Sequence, residues 1–128
     1  MIISKLLNSL RWVDALDKAS ASDFAKARTK LNAISPSNIG IPKREYYLLK
    51  SFVLMKLNDK SAKATLAEAM NAIDASQKIN QDEREYLKKY AEHILISLYD
   101  RSNRRTVNCA GIDFNNVPKR TREMFPLV

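Results

Sequence analysis

The stretch YYLLKSFVLMKLN, residues 46–58, is the most apolar run in the chain, broken only by Lys50, Ser51, Lys56 and Asn58. Three elements could carry such a run: a membrane span, a buried strand or the central helix of a bundle. A span needs roughly 20 mostly apolar residues. This run holds two lysines and is flanked by Lys43, Arg44 and Glu45 before it and by Asp59 and Lys60 after it. Pro42 fits a first helical position, and the pattern continues from Lys43 to Leu57. That length is long for a strand and ordinary for a helix. A helix apolar around most of its circumference is one surrounded by other helices.

Periodicity elsewhere agrees. A first helix is expected from about Ser4 to Lys18, with Ile3, Leu6, Leu7, Leu10, Val13 and Leu16 as its apolar stripe. Ser22, followed by Asp23, is the expected cap of a second helix carrying Phe24, Ala27, Leu31 and Ile34. The segment SPSNIGIP ends it. Asn58 or Asp59 should cap a fourth helix bearing Ala62, Leu66, Ala69, Met70 and Ile73. Asn80, with Glu83 three residues on, reads as a capping-box variant. It opens a fifth helix from Gln81 to Arg101, striped by Tyr86, Leu87, Tyr90, Ala91, Ile94, Leu95 and Leu98. The acids at 82, 83 and 85 complement the positive end of that helix.

The fold class expected is therefore all-α: five antiparallel helices, stacked as helix pairs or gathered into a plain bundle, with an irregular C-terminal tail. A helical domain should occupy residues 1–102. A basic extension over 103–128 should pack partly on it through Val107, Ile112, Phe114 and Phe125, with a short helix over Pro118–Met124. One domain suits 128 residues with a hydrophobic fraction of 45%, and only 2 glycines and 4 prolines disfavour a turn-rich β fold. No signal peptide or membrane span is read. The single Cys109 cannot form an internal bridge, which makes a reducing, cytoplasmic setting the expectation.

Helices two and four align at a separation of 35 residues, which places Ala27, Leu31 and Ile34 on Ala62, Leu66 and Ala69. Upstream, Trp12, Ala15, Leu16 and Ala19 correspond to Tyr46, Leu49, Lys50 and Val53. On these residues the chain resembles the tetratricopeptide repeat over about residues 4–100. The small residue usual on the first helix is replaced by Leu16 and Lys50, and the closing proline is missing. The resemblance implies a concave groove lined by first helices, with Asn8, Arg11, Tyr46 and Lys50 as candidate groove residues. It implies a non-enzymatic adaptor or assembly module that takes another protein. Basic groove side chains would favour an acidic partner segment.

Charge supplies the alternative. The net charge is +8, while residues 81–100 are net acidic, so the excess lies on the other helices and the tail. Arg101, Arg104, Arg105, Lys119, Arg120 and Arg122 are candidate polyanion contacts, as in a small nucleic-acid-associated subunit of a nucleoprotein complex. No groove-reading motif accompanies them. Signals for catalysis are sparse. One histidine, His93, and one cysteine, Cys109, give no metal-ligand spacing, and no glycine-rich phosphate loop exists. No catalytic residue, metal or cofactor is expected; a Cys109–His93 nucleophilic pair is the only formal enzymatic option.

Overall fold

A computed structural model describes residues 2–35, 40–99 and 107–127, with the side chains of the first helix described from Leu6 onward. The described residues form helices and no strand. The order is α1 (Ile2–Ser20), α2 (Phe24–Asn32), α3 (Lys43–Lys56), α4 (Ala62–Ala75), α5 (Gln81–Tyr99), a 3-10 turn (Phe114–Asn116) and α6 (Lys119–Met124). The run at 46–58 is thus a helix. It buries Tyr46, Leu48, Leu49, Val53, Leu54 and Met55 and packs on α2, α4 and α5. Even Ser51 is buried there; its hydroxyl donates to the Leu48 carbonyl at 2.8 Å, which removes the cost of an unpaired polar group.

Consecutive helices pack in chain order, α1 on α2, α2 on α3, α3 on α4 and α4 on α5, and α3 also meets α5. Polar side chains lock these layers. The Tyr46 hydroxyl donates to the Leu31 carbonyl at 3.0 Å, joining α3 to α2. The Arg84 guanidinium on α5 donates to the carbonyls of Ile73, Asp74 and Ser76 at 2.6, 3.2 and 2.5 Å. Those carbonyls lie at the end of α4, where the Ile73 carbonyl also accepts from the Ser76 amide at 3.2 Å, and a cation there supplies both further hydrogen bonds and dipole compensation.

The 35-residue register is visible in burial: Ala27, Leu31, Ile34, Ala62, Leu66 and Ala69 are all buried. The turns closing α1 and α3 also share one hydrogen-bond plan. Ser22 and Asn58 take positive φ, 61° and 55°. The Asp23 amide then reaches back to the Lys18 carbonyl at 2.8 Å, and the Asp59 amide to the Leu54 carbonyl at 2.9 Å. Both are left-handed helix ends of the Schellman kind. This relocates two caps. Ser22 is the left-handed residue, and Asp23 caps α2 by accepting from the Lys26 amide. Asp59 accepts from the amide and hydroxyl of Ser61 at 2.9 and 2.7 Å, which holds its carboxyl below the usual carboxylate range, with Arg28 adding to the effect.

α1 departs from expectation. Of the stripe read from sequence, Leu6, Leu7, Leu10 and Val13 are 58%, 45%, 59% and 55% exposed, and Ile3 lies outside the described side chains. Asn8, Trp12 and Ala15 are buried instead, with Leu16 and Ala19 packed against the core. α2 has 9 residues against 19 in α1, so at 1.5 Å per residue it spans about half the length; the choice of face is separate, since Val13 is exposed at the level of buried Trp12 and Ala15. Arg11 Nη1 donates to the Ala33 carbonyl at 3.0 Å, which marks where α2 ends alongside α1. The helix carries two apolar faces, and the core takes the one built on Trp12 and the small Ala15.

The tail is a core element. Val117 and Phe125 are buried in the same cluster as the helices, with Ile112 and Phe114 packed against it and Val107 half-buried. Pro118 precedes α6, as its fixed φ favours. α5 ends at Tyr99, so its expected last turn to Arg101 lies outside the described residues.

A candidate binding groove on the first, third and fifth helices

α1, α3 and α5 present side chains to one open pocket of about 410 Å³. Leu16 and Ala19 come from α1, Leu49 and Phe52 from α3, and Tyr90 from α5. Met124 and Pro126 of the tail close the far wall. Phe52 and Tyr90 line the pocket and belong to a row of rings that continues into the core. Ring centroids are 5.9 Å apart from Phe24 to Phe52, 5.9 Å from Phe52 to Tyr90 and 5.1 Å from Tyr90 to Phe125. Burial, helped by neighbouring Tyr86, drives the Tyr90 phenol far above its ordinary range, so it stays a neutral hydrogen-bond donor. Apolar walls with a few polar groups are the usual make-up of a binding cleft.

Charges of both signs stand at the edges. Arg120 and Glu123 are at the rim. Lys56 Nζ lies 5.6 Å from the centroid of the Phe52 ring, and His93 lies beside Tyr90 with centroids 6.3 Å apart. Burial, and then the positive charge of Lys56, hold the His93 pKa below its ordinary 6.5. The imidazole is therefore mainly neutral at pH 7 and leaves Lys56, Glu123 and the Glu45-paired Arg120 as the charges of the groove.

The tail wall is held by carboxylates. Glu45 on α3 is buried, and Arg120 meets both its oxygens, Nη2 at 2.7 Å from Oε1 and Nη1 donating to Oε2 at 2.9 Å. Thr121 Oγ1 donates to buried Glu83 at 2.7 Å, and Tyr86 Oη donates to the Phe125 carbonyl at 2.6 Å. Asp82 accepts from the Asp113 amide and from Asn116 Nδ2 at 3.2 and 2.8 Å, while Asn80 Nδ2 donates to the Asn116 carbonyl at 2.7 Å. The Asn80 side chain does cap α5, accepting from the Glu83 amide at 2.8 Å. The reciprocal arm of a capping box is absent among these bonds, because the Glu83 carboxylate turns to Thr121.

The groove candidates from sequence fall in different places. Asn8 and Tyr46 are buried, Tyr46 at 1% exposure with its hydroxyl engaged, so neither offers surface to a partner. Arg11 is committed to the end of α2. Lys50 is half-buried with Nζ 5.6 Å from the Tyr46 centroid. Of the polyanion candidates, Arg101, Arg104 and Arg105 lie outside the described residues. Arg120 is bound to Glu45, Arg122 Nε donates to the Val117 carbonyl at 3.2 Å, and Lys119 sits 3.7 Å from Glu123 at the surface. Cys109 lies near Tyr86, whose phenol burial holds above its ordinary range. His93 is seven residues further along α5, about 10 Å down the axis, which separates the two members of the formal nucleophilic pair.

Sequence reading missed Phe52, Tyr90 and the clamping role of Glu45 and Glu83. Phe52 was legible in part, since it stands three residues after Leu49 on the face turned to α5. The clamps were not, because an acid at a helix start is already explained by the helix dipole. Among the described residues no group of three or more His, Cys, Asp and Glu is placed to hold a metal ion. No described helix is long and apolar enough to cross a membrane. The chain matches no protein-family model, and comparison with curated proteins and with solved structures gives no match.

Proposed function

We propose that this chain is a non-enzymatic protein-binding module of tetratricopeptide-like type that takes an acidic partner segment into the groove of α1, α3 and α5. The observation that carries this reading is the pocket itself: an apolar cleft contributed by alternate helices and lined by Phe52 and Tyr90, with Lys56 at its edge. Helix pairs stacked in chain order, the shared burial register and the two matching turns support a repeat plan. Alternate helices of such a stack line its concave side, where partner segments dock. Lys56 at the groove edge, on a chain of net charge +8, favours carboxylates in the partner.

The test is capture from native extract by the full chain and by Ser20→Trp. Ser20 is exposed and lines the pocket, so the indole fills the cleft without entering the core. The expected result is a protein retained after nuclease and at high salt, and reduced at least tenfold by the variant. Capture that nuclease abolishes would instead favour the nucleic-acid reading through exposed Lys119 and Arg122, since phosphate binding weakens steeply with salt. Equal capture by Ser20→Trp would remove the groove from the account.

A further inference from the structure

Four of the six large hydrophobic side chains that stand exposed among the described residues lie together on α1: Leu6, Leu7, Leu10 and Val13. Leu6, Leu10, Val13 and Asp17 recur at intervals of four, three and four, and Ile3 continues the series in sequence. This is a heptad seam. It runs on the side of α1 opposite Asn8, Trp12 and Ala15, which face the core, and away from Leu16 and Ala19, which line the groove. We infer that this seam is a self-association surface, on which α1 pairs antiparallel with α1 of a second copy.

Charge selects the occupant and its direction. The C-terminal end of the seam is acidic, with Asp14 and Asp17 beside it. Lys18 and Lys30 hold Asp14, at 3.7 and 3.1 Å, whereas Asp17 is exposed with no ion-pair partner among the described residues. The first turn of α1 holds no acidic residue, so the positive end of its dipole suits an acidic neighbour. An antiparallel copy sets Leu6 opposite the second copy's Leu10 and carries each Asp17 past the other helix's first turn, twice over by symmetry. An acidic segment or an anionic bilayer would meet Asp14 and Asp17 instead. The cations that could offset them are turned elsewhere, Arg11 to the Ala33 carbonyl and Lys18 to Asp14.

Area sets the strength. Four half-exposed side chains present roughly 400 Å² per copy, so the pair buries on the order of 800 Å², below the ~1,200 Å² at which stable interfaces begin. The association is therefore weak and concentration-dependent.

Sedimentation equilibrium of the full chain, from about 10 μM to about 1 mM, reads it directly. The expected mass rises from 14.6 kDa towards twice that value. Leu10→Glu, and separately Val13→Lys, weaken the dimer at least tenfold while the helical circular dichroism and its melt are unchanged, because both sites face solvent. With Cys109→Ser as background, mixed Leu6→Cys and Leu10→Cys chains cross-link to each other in preference to themselves. A wild-type mass of one chain at the highest concentration, whether or not the protein then sediments with phosphatidylcholine vesicles, overturns the inference. So does a dimer indifferent to both substitutions. Predominant Leu10→Cys self-cross-links overturn the antiparallel pairing.

Discussion

Glu45 shows what a single residue does here. Its carboxylate is 3% exposed, and it is tolerable at that depth because Arg120 arrives from 75 residues away in sequence to meet both oxygens, with Arg44 at 3.9 Å from one of them. Removing the tail's cation strands a buried anion, which costs far more than losing a surface pair. Arg120→Ala is expected to lower stability by about 2 kcal/mol, tempered because the guanidinium itself is half exposed. Adding Glu45→Gln should restore part of that loss in a double-mutant cycle by urea unfolding; a single-variant loss under about 0.5 kcal/mol would mean that the pair is dispensable. His93 gives a pH signature. Its folded pKa lies below 6.5, so between the two values the unfolded chain binds more protons, and stability falls as pH is lowered through that window. Below the folded pKa the effect is flat. Unfolding midpoints from about pH 7.5 to about pH 5 should slope for the wild type and flatten for His93→Gln. Lys56→Met should raise the His93 pKa in an NMR titration.

At the scale of elements, the joints between helices depend on side chains that reach for carbonyls. Arg84 closes the end of α4 with three such bonds. Arg84→Ala should cost about 2 kcal/mol in denaturant unfolding, and Arg84→Lys should recover little, since an ammonium cannot reproduce the forked geometry. Full recovery by lysine would show that charge alone matters. The helices themselves were readable because their apolar residues recur at helical spacing over ten or more positions, and α3 could be read from length alone. α1 was read with the right extent and the wrong face. Periodicity reports that a stripe exists, and a helix with stripes on two sides gives no local sign of which one the core will take. Asn80 caps α5 as read, whereas the caps of α2 and α4 fall at Asp23 and Ser61 for a related reason. Ser22 and Asn58 are polar residues fit for a cap, yet the chain spends them on left-handed turns, and the aspartate that follows each does the capping or its share of it.

At the scale of the whole molecule, the tail unites what composition divides. Residues after 102 look like an appended basic extension, because their apolar residues are scattered and no period links them. Their partners are carboxylates and tyrosines on α3 and α5, a long-range complementarity that no local pattern announces. Val117 and Phe125 complete the core cluster, and Met124 and Pro126 complete the groove. The site was therefore legible only in its general location, on alternate helices, and its far wall was not. Because Met124 and Pro126 line the groove, the proposed binding is linked to the docking of the tail.

Native-state hydrogen exchange on the full chain tests that seating most directly. The Val117, Arg122 and Phe125 amides donate to the carbonyls of Phe114, Pro118 and Thr121. With the tail sealed against α3 and α5, the Phe125 amide is predicted to exchange at least about 100-fold more slowly than in a free chain, and α3 amides such as Val53 more slowly still. Free-chain exchange at all three tail amides while α3 stays protected would contradict a core and groove completed by the C-terminal segment.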